Sequence, residues 1–539
     1  MMISSVPAFA QRHMEKLGRG VVAVRQGADS VFVSWRILGT EPDDIAFNLY
    51  RKAGNTAALK LNKNPITKGT NFQDVGINPE VENSYFVKVV KHGQEEEASK
   101  PFILKAKTPV QQYLNIPLKP PAGYTPNDAS VGDLDGDGEY EIVLHQTGRS
   151  RDNSSNGVTD PPIFQAYKID GTFLWEINLG KNIREGAHYT QFMVYDLDGD
   201  GIAEFACKTA DGTVDGKGKV IGDSTKDYRN KNGRILEGPE FFTVFSGKTG
   251  EALATTAYLP GRGDIGTWGG RGGNGKNDNS GNRVDRFTAC IAYLDGIHPS
   301  VVMARGDEII FGSMCVDDNG KGLYTTGLRH GDALHVSDLD PERPGLEVFG
   351  VHEIEEGTKG PGAAVYDAKT GEILWHGSDD EDVGRGVADN IDNTRVGAQM
   401  WWSGSNGLFD IKGNRIGEQP RSTNFLIYWD GDLSRELLDG NHIDKYNGGR
   451  LLTANGAIAN NWTKSTPSLS ADIFGDWREE LMLRSYDNQS LRIYTTTIPT
   501  EHRNYTLMHD PQYRLSIAWQ NVGYNQPPHT GFLPKQLSK

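Results

Sequence analysis

Cysteine is scarce: three residues in 539, Cys207, Cys290 and Cys315. They show no close pairing and no metal-ligand spacing, so they read as small buried apolar residues rather than as a disulfide framework. Long hydrophobic runs are lacking too, and none approaches the length of a membrane span. Positive charge is in deficit, 56 Lys and Arg against 71 Asp and Glu for a net charge of -15. That balance argues against nucleic acid or an anionic membrane as partner, and a polyanionic substrate would need a cation to bridge it. Hydrophobic residues are only 37% and mean hydropathy is -0.53, while glycine numbers 65. Many turns and short strands are therefore expected instead of long helices, in a chain too long for one ordinary core. An all-β propeller or solenoid fits.

What is present begins with Asp133 to Glu141, DLDGDGEYE, followed at once by IVL. Carboxylates at Asp133, Asp135, Asp137 and Glu141 alternate with glycines that let side chains converge on one point. This all-oxygen set suits Ca2+ better than zinc. The phrase recurs as DLDGDGIAE, with Asp196, Asp198, Asp200 and Glu204, running into FAC. A loop duplicated ahead of the same kind of strand reads as a structural calcium site pinning a peripheral turn. A catalytic ion is expected elsewhere, where the repeat is interrupted.

From about Gly20 to Lys107 the runs VFVSWRI, IAFNLYR and YFVKVVK alternate apolar and polar residues, the period of half-buried antiparallel strands. Residues 14–107 are read as a small β-sandwich resembling fibronectin type III modules, with Trp35 as its core aromatic. The proline-spaced stretch 108–126 reads as a linker, and 127–539 as the propeller. Near the start, Ala8-Phe9-Ala10 resembles the cleavage site of a secretory signal without the apolar stretch that should precede it. It reads either as the stub of a truncated signal, which would place the protein outside the cytoplasm where calcium is abundant, or as a tail without meaning.

Beyond Asn127 one phrase returns: an acidic turn, an apolar strand, an insert, and a strand ending in a Lys/Asp-Gly turn before another strand. Its first half appears as DLDGDGEYEIVL, DLDGDGIAEFAC, DLDPERPGLEVFG, DNIDNTRVGAQMWW and DIFGDWREELMLR. Its second half appears as FQAYKIDGTFLWEI, FFTVFSGKTGEAL and GAAVYDAKTGEILWHG. Repeats of roughly 40–60 residues with four strands each mark a β-propeller. The later copies have lost most carboxylates and are expected to keep the turn without binding calcium well. At Gly306/Asp307, VVMARG runs directly into DEIIFGSM, so about one blade's worth of chain is missing there.

Chemistry-bearing residues gather in a few places. GLRHGDALHVSDLD supplies His330 and Asp332 as candidate metal ligands, and FGVHEIEEG supplies His352 as a candidate base. Structural histidines bonded to blade backbone are the plainer alternative. Asn460-Asn461-Trp462-Thr463-Lys464 combines amides, a hydroxyl, an indole and an ammonium, a mixture suited to a sugar; a solvated turn is its alternative. Tyr524, in NVGYNQPPHTGF, joins the same mouth if the C-terminus closes the ring. The Gly-rich stretch containing Arg271 and Arg283 lacks the Gly-Lys-Ser/Thr ending of a phosphate loop and reads as a long surface loop.

Taken together, MEKLGRGVVA, GDLDGDGEYEIVLHQ, GAHYTQFMVYDLDGDGIAEFACKTADGT, FGSMCVDDNGKGLYTTGLRHGD, DLDPERPGLEVFGVHE and AWQNVGYNQPPHTGF resemble the rhamnogalacturonan lyases of polysaccharide lyase family 11. The resemblance implies an eight-bladed propeller, or seven blades given the gap at 306/307, behind the small β-domain. It further implies several structural Ca2+ ions plus one at the active site, and β-elimination in the rhamnose-galacturonate backbone of rhamnogalacturonan I by a monomer. His330 and Asp332 match positions near the active-site calcium, and Lys464 a candidate base. Asp170, Asn461, Thr463 and Tyr524 match sugar-binding positions. The family's loop has Gly where this chain has Trp462, and the gap removes a stretch holding a further calcium loop and an active-site histidine. Two other classes fit the same text: a carbohydrate-binding propeller without turnover, and a calcium-stabilised adhesion scaffold.

Overall fold

The computed structural model describes residues 14–263, 281, 284–305, 314–316, 322–328, 331–353 and 359–532. Ala8-Phe9-Ala10, Arg271, Arg283, the Gly306/Asp307 junction and His330 lie outside them.

Period-two alternation near the N-terminus forms strands as expected; Asn83–Lys91 buries almost every second residue. Val22–Arg25, Ser30–Ser34 and Asn71–Val75 make one three-stranded sheet. Ala46–Ala53 and Asn83–Lys91 centre a second, five-stranded sheet. Residues of both share one core in which Trp35 is fully buried and meets Phe47 edge-on at 5.8 Å.

After it come six antiparallel meanders of four or more strands among the described residues. The first runs from Thr125–Gly132 through Phe173–Asn178, the second from Phe192–Tyr195 to Ala252–Ala257, and the third from Ala333–Ser337 to Ile373–Asp379. The sixth is completed from the other end of the chain: Tyr113–Pro117 pairs with Ser490–Tyr494. The stretch read as a linker thus holds a strand that closes the array. Between the second and third meanders stand two ladders of two strands, Phe287–Ala292 with Ser300–Arg305 and Met314–Val316 with Gly322–Thr325. They flank the junction where the repeat breaks. Apolar clusters lie between consecutive sheets, as where Leu134, Val143 and Phe164 of the first meet Val194, Phe205 and Phe245 of the second.

One device recurs at each acidic turn. A Glu opening the second strand buries its carboxylate and accepts a turn N–H: Leu134 to Glu141 (2.8 Å), Leu197 to Glu204 (2.8 Å), Leu339 to Glu347 (3.0 Å), Trp429 to Glu436 (2.7 Å) and Ile473 to Glu480 (2.9 Å). In the fourth meander Gln399 accepts from Ile391 at 2.9 Å with no charge at all. The shared requirement is a buried acceptor for an orphan turn N–H, and metal binding is an addition to it.

The α-helix among the described residues, Pro511–Ala518, is capped by Asp510, whose carboxylate accepts from Tyr513 N at 2.8 Å, with Pro511 pre-set for the first turn. It packs on the first strands of three successive sheets. Its buried Arg514 pairs with Glu15 at 2.8 Å. Past the helix the chain crosses from sheet to sheet: Asn521 bonds both backbone groups of Phe192, Gln526 bonds Asp332 O, and Ser337 bonds Thr530 O. This crossing carries Tyr524 to the functional cavity. Of the cysteines, Cys207 is a buried free thiol and Cys290 is free and half-buried. No helix of the described residues is long and apolar enough to cross a membrane.

Candidate active site

A cavity of about 900 Å³ opens between the first and sixth meanders. One wall is the loop after Ala457–Ile458. Asn460 and Thr466 bridge its ends (2.8 and 3.2 Å), and the turn between them bends through left-handed residues Asn461 (φ 58°), Trp462 (φ 52°) and Ser465 (φ 48°). Asn461 spends its amide on Thr466 Oγ1 at 2.7 Å. The bend presents Thr463 and Lys464 to the cavity.

Three distant parts of the chain meet at Lys464. Its ammonium donates to Asp332, and it lies 4.2 Å from the centre of the Tyr524 ring. Tyr524 in turn meets His188 edge-on at 5.2 Å. Asp332 is positioned through its backbone carbonyl, which accepts from Arg385 (3.2 Å) and Gln526 (2.9 Å). Burial brings the Arg385 guanidinium down to about 10, opposed by the nearby Asp332 and Tyr524. Burial raises the Tyr524 phenol, and the Asp332 charge adds to it. Carboxylate and aromatic face together hold the Lys464 side chain at the cavity edge.

The cavity floor holds a second group of ionisable side chains. His145 Nε2 lies 3.0 Å from Glu185 Oε2, with the imidazole stacked on Phe164 at 4.9 Å. Burial opposes the imidazolium, but Glu185 and Asp128 outweigh it and raise its pKa. Asp128, itself buried, is pushed up to about 7, chiefly by desolvation.

Of the sugar-binding candidates, Asn461, Thr463 and Tyr524 line this cavity and Asp170 does not. Asp170 sits in the turn before Phe173–Asn178, accepts from Thr172 N at 2.8 Å, and lines a separate cavity of about 670 Å³ beside Asp137, Glu141 and Lys168. It belongs with the acidic loop because the hairpin turn of the first meander folds back onto that loop, Lys168 pairing with Asp135. His352 is buried behind the strand Glu347–Val351, its N–H bonded to Gly362 O at 2.8 Å, and it does not line the cavity. Asn127, Asp128, His145, Glu185 and His188 do line it and were not singled out from the sequence. Asn127, Asp128 and His145 stand on two paired strands and Glu185 and His188 in the loop before the second meander, so only the folded chain brings them together.

The acidic loops are a separate matter from the cavity. Oxygens of Asp133, Asp135 and Glu141 lie within 4.8 Å of one another, as do those of Asp196, Asp198 and Glu204, and of Asp430, Asp432 and Glu436. The third group was missed in the sequence. Asp137 lies outside the first group and pairs with Lys100 at 3.1 Å; Asp200 lies outside the second and accepts from Ile202 N. All three donor sets fit a hard cation, yet they differ in what already fills them. Lys445 Nζ lies 2.9, 2.6 and 2.8 Å from Asp430, Asp432 and Glu436. Lys168 Nζ lies 2.5, 3.5 and 3.4 Å from Asp135, Asp137 and Glu141. The two lysines begin equivalent hairpin turns, closed by Gly448 N to Lys445 O and Gly171 N to Lys168 O. The second meander has Ser246 at that position, and no lysine or arginine of the described residues pairs with the Asp196 loop. Burial, backed by neighbouring carboxylates, pushes Glu141 and Glu204 up to about 7 and Glu436 to about 8.

A family model described as rhamnogalacturonan lyase family 11, C-terminal domain, matches residues 113–306 and 307–538, and one described as the rhamnogalacturonan I lyases β-sheet domain matches 12–103. The chain is 51% identical to the rhamnogalacturonan endolyase YesW of Bacillus subtilis (strain 168), covering 97% of this chain and 91% of that protein. It is 48% identical to the exolyase YesX of the same organism, covering 97% and 95%. The solved Bacillus licheniformis rhamnogalacturonan lyase PL11 superposes with a TM-score of 0.89 at 51% identity over 97% of each chain. The alignment with the endolyase runs over 591 positions, more than the 539 residues present, so that relative carries residues with no counterpart here. Family models over most of the chain and relatives at 48–51% identity make this strand-rich protein a polysaccharide lyase. Its sequence places it in rhamnogalacturonan lyase family 11.

Proposed function

We propose that this lyase cleaves the rhamnose-galacturonate backbone of rhamnogalacturonan I by calcium-dependent β-elimination. The observation that carries the reading is the meeting of Asp332, Lys464 and Tyr524, from three separate parts of the chain, where Lys464 and Tyr524 line the cavity. Galacturonate C5–H lies alpha to a carboxylate and is poorly acidic while that carboxylate keeps its charge. A calcium ion held by Asp332 and His330 would neutralise it. Lys464, once parted from Asp332, takes the C5 proton. The C–H electron pair becomes the C4–C5 double bond, the C4–O4 bond breaks, and the leaving oxygen takes a proton from solvent. Tyr524 holds the Lys464 amine in place and, with Asn461 and Thr463, borders the sugar.

The six meanders and the two short ladders support a propeller of seven blades rather than eight, the blade at the junction being built from two halves. We read the two-sheet unit before it as fibronectin-III-like. A polymer that does not cross membranes requires its lyase outside the cell, so we place the protein there. The calcium-stabilised adhesion scaffold is not favoured, because it gives no reason for a polar cavity lined by a lysine that is paired with a carboxylate. The test is incubation with rhamnogalacturonan I in calcium and in EDTA. Products that absorb in the ultraviolet and lack the mass of one added water support elimination. Products that have gained water would show hydrolysis and overturn it.

A further inference from the structure

Two aromatic side chains of the described residues stand mostly in solvent, Trp462 at 95% exposure and Tyr486 at 68%, and both line the rim of the lyase cavity. A single exposed ring is ordinary, but two rings on one cavity rim make an apolar patch of the kind that marks a ligand-binding groove. Trp462 adds a second oddity. Its backbone is left-handed, φ 52°, a conformation that disfavours a bulky residue and is tolerated by Gly or Asn. At 95% exposure the indole has almost no packing to offset that strain, so folding gives no reason for it.

The two rings are held to one side of the cavity by shared scaffolding. Ala457–Ile458 pairs with Arg484 and Ser485, which sets the loop bearing Trp462 beside the turn bearing Tyr486. Arg484 then ties both together, donating to Asn460 Oδ1 (3.2 Å) before the first ring and to Asn488 Oδ1 (2.6 Å) after the second. The Tyr486 backbone is pinned by its N–H to Gly456 O at 3.1 Å. Lys464 is two residues from Trp462 on the same loop, and it lines the same cavity as both rings.

We propose that Trp462 and Tyr486 form an aromatic rail that carries the polysaccharide chain away from Lys464, stacking on the C–H faces of pyranose rings remote from the bond that breaks. This rests on the lyase reading above and adds what selects among its substrates: length. Stacking is indifferent to whether a ring is neutral or a uronate, so the rail would favour polymer over short fragments of the same backbone.

The experiment compares wild type with Trp462→Gly, Trp462→Phe and Tyr486→Ala on rhamnogalacturonan I and on a short oligosaccharide of its backbone, reading kcat and KM separately. The rail predicts KM for the polymer raised about 3- to 10-fold in Trp462→Gly and in Tyr486→Ala, the range expected for a lost aromatic contact. It predicts little change in kcat or in KM for the short substrate in Tyr486→Ala, and recovery of the polymer KM in Trp462→Phe. Trp462→Gly should melt no lower than wild type, since Gly suits the left-handed turn, which removes misfolding as an explanation. Calorimetric titration of the polymer in EDTA gives the same comparison without turnover, so an inactive wild type would sink the lyase reading while still testing the rail. Polymer affinity unchanged or improved in Trp462→Gly would overturn it, marking the indole as an obstruction.

Discussion

Lys445→Met separates the two ways an acidic loop is neutralised. Glu436 is fully buried, and the Lys445 ammonium is 2.6–2.9 Å from it and from Asp430 and Asp432. Removing one partner of a fully buried ion pair costs about 3–5 kcal/mol. Lys445 keeps 21% of its side chain exposed and Asp432 44%, so solvent screening brings the expected loss to about 1–3 kcal/mol. The three carboxylates would then form an all-oxygen site open to a divalent ion. Calcium at a hundred times its Kd would return about 2.7 kcal/mol. In wild type the ion must first displace the ammonium. The variant should therefore melt below wild type in EDTA and recover most of the difference in calcium, gaining more from calcium than wild type does. Differential scanning fluorimetry in both buffers reads this directly. Equal melting in EDTA, or equal calcium increments in the two proteins, would refute the claim that Lys445 stands in for a cation.

Asp128 is held up to about 7 against an ordinary value near 3.8, chiefly by burial. The folded state keeps a proton that the unfolded chain has released between those values, so stability falls as pH rises through that window. Asp128→Asn should flatten that fall by on the order of 1–3 kcal/mol, read from urea midpoints at about pH 4.5 and about pH 7.5. Parallel wild-type and variant curves would contradict the burial argument. Asp170→Ala, outside the sugar cavity, should leave KM for rhamnogalacturonan I within about twofold of wild type, within the ±0.5 kcal/mol usual for surface changes. A large rise would return Asp170 to the substrate site.

Much of the fold was legible because its signal is local. An acidic turn followed by an apolar strand repeats in the text, and each instance is a turn opening a strand whose Glu or Gln takes a turn N–H. Asp430-Gly431-Asp432 escaped notice because its Glu comes six residues after the first Asp, where the duplicated loops take eight. The strand at Tyr113–Pro117 read as a linker because its partner lies near the other end of the chain. At the site, the Asn460–Lys464 loop announced itself by its mixture of side chains. His145 and Glu185 carried no such mark, since forty residues separate them and the loop bearing Glu185 meets the strand bearing His145 only in the folded chain. Asp170 came only from the family resemblance, and its turn lines the cavity beside the first acidic loop.

The central claim is that Lys464, released from Asp332, removes the C5 proton. It is tested most directly by the kcat of Lys464→Ala on rhamnogalacturonan I in calcium, followed by the ultraviolet absorbance of the unsaturated product, with polymer binding measured alongside. The account predicts a loss of at least about 100-fold, the lower range for a general base, with binding retained. Turnover near the wild-type rate in a folded, polymer-binding variant would contradict it.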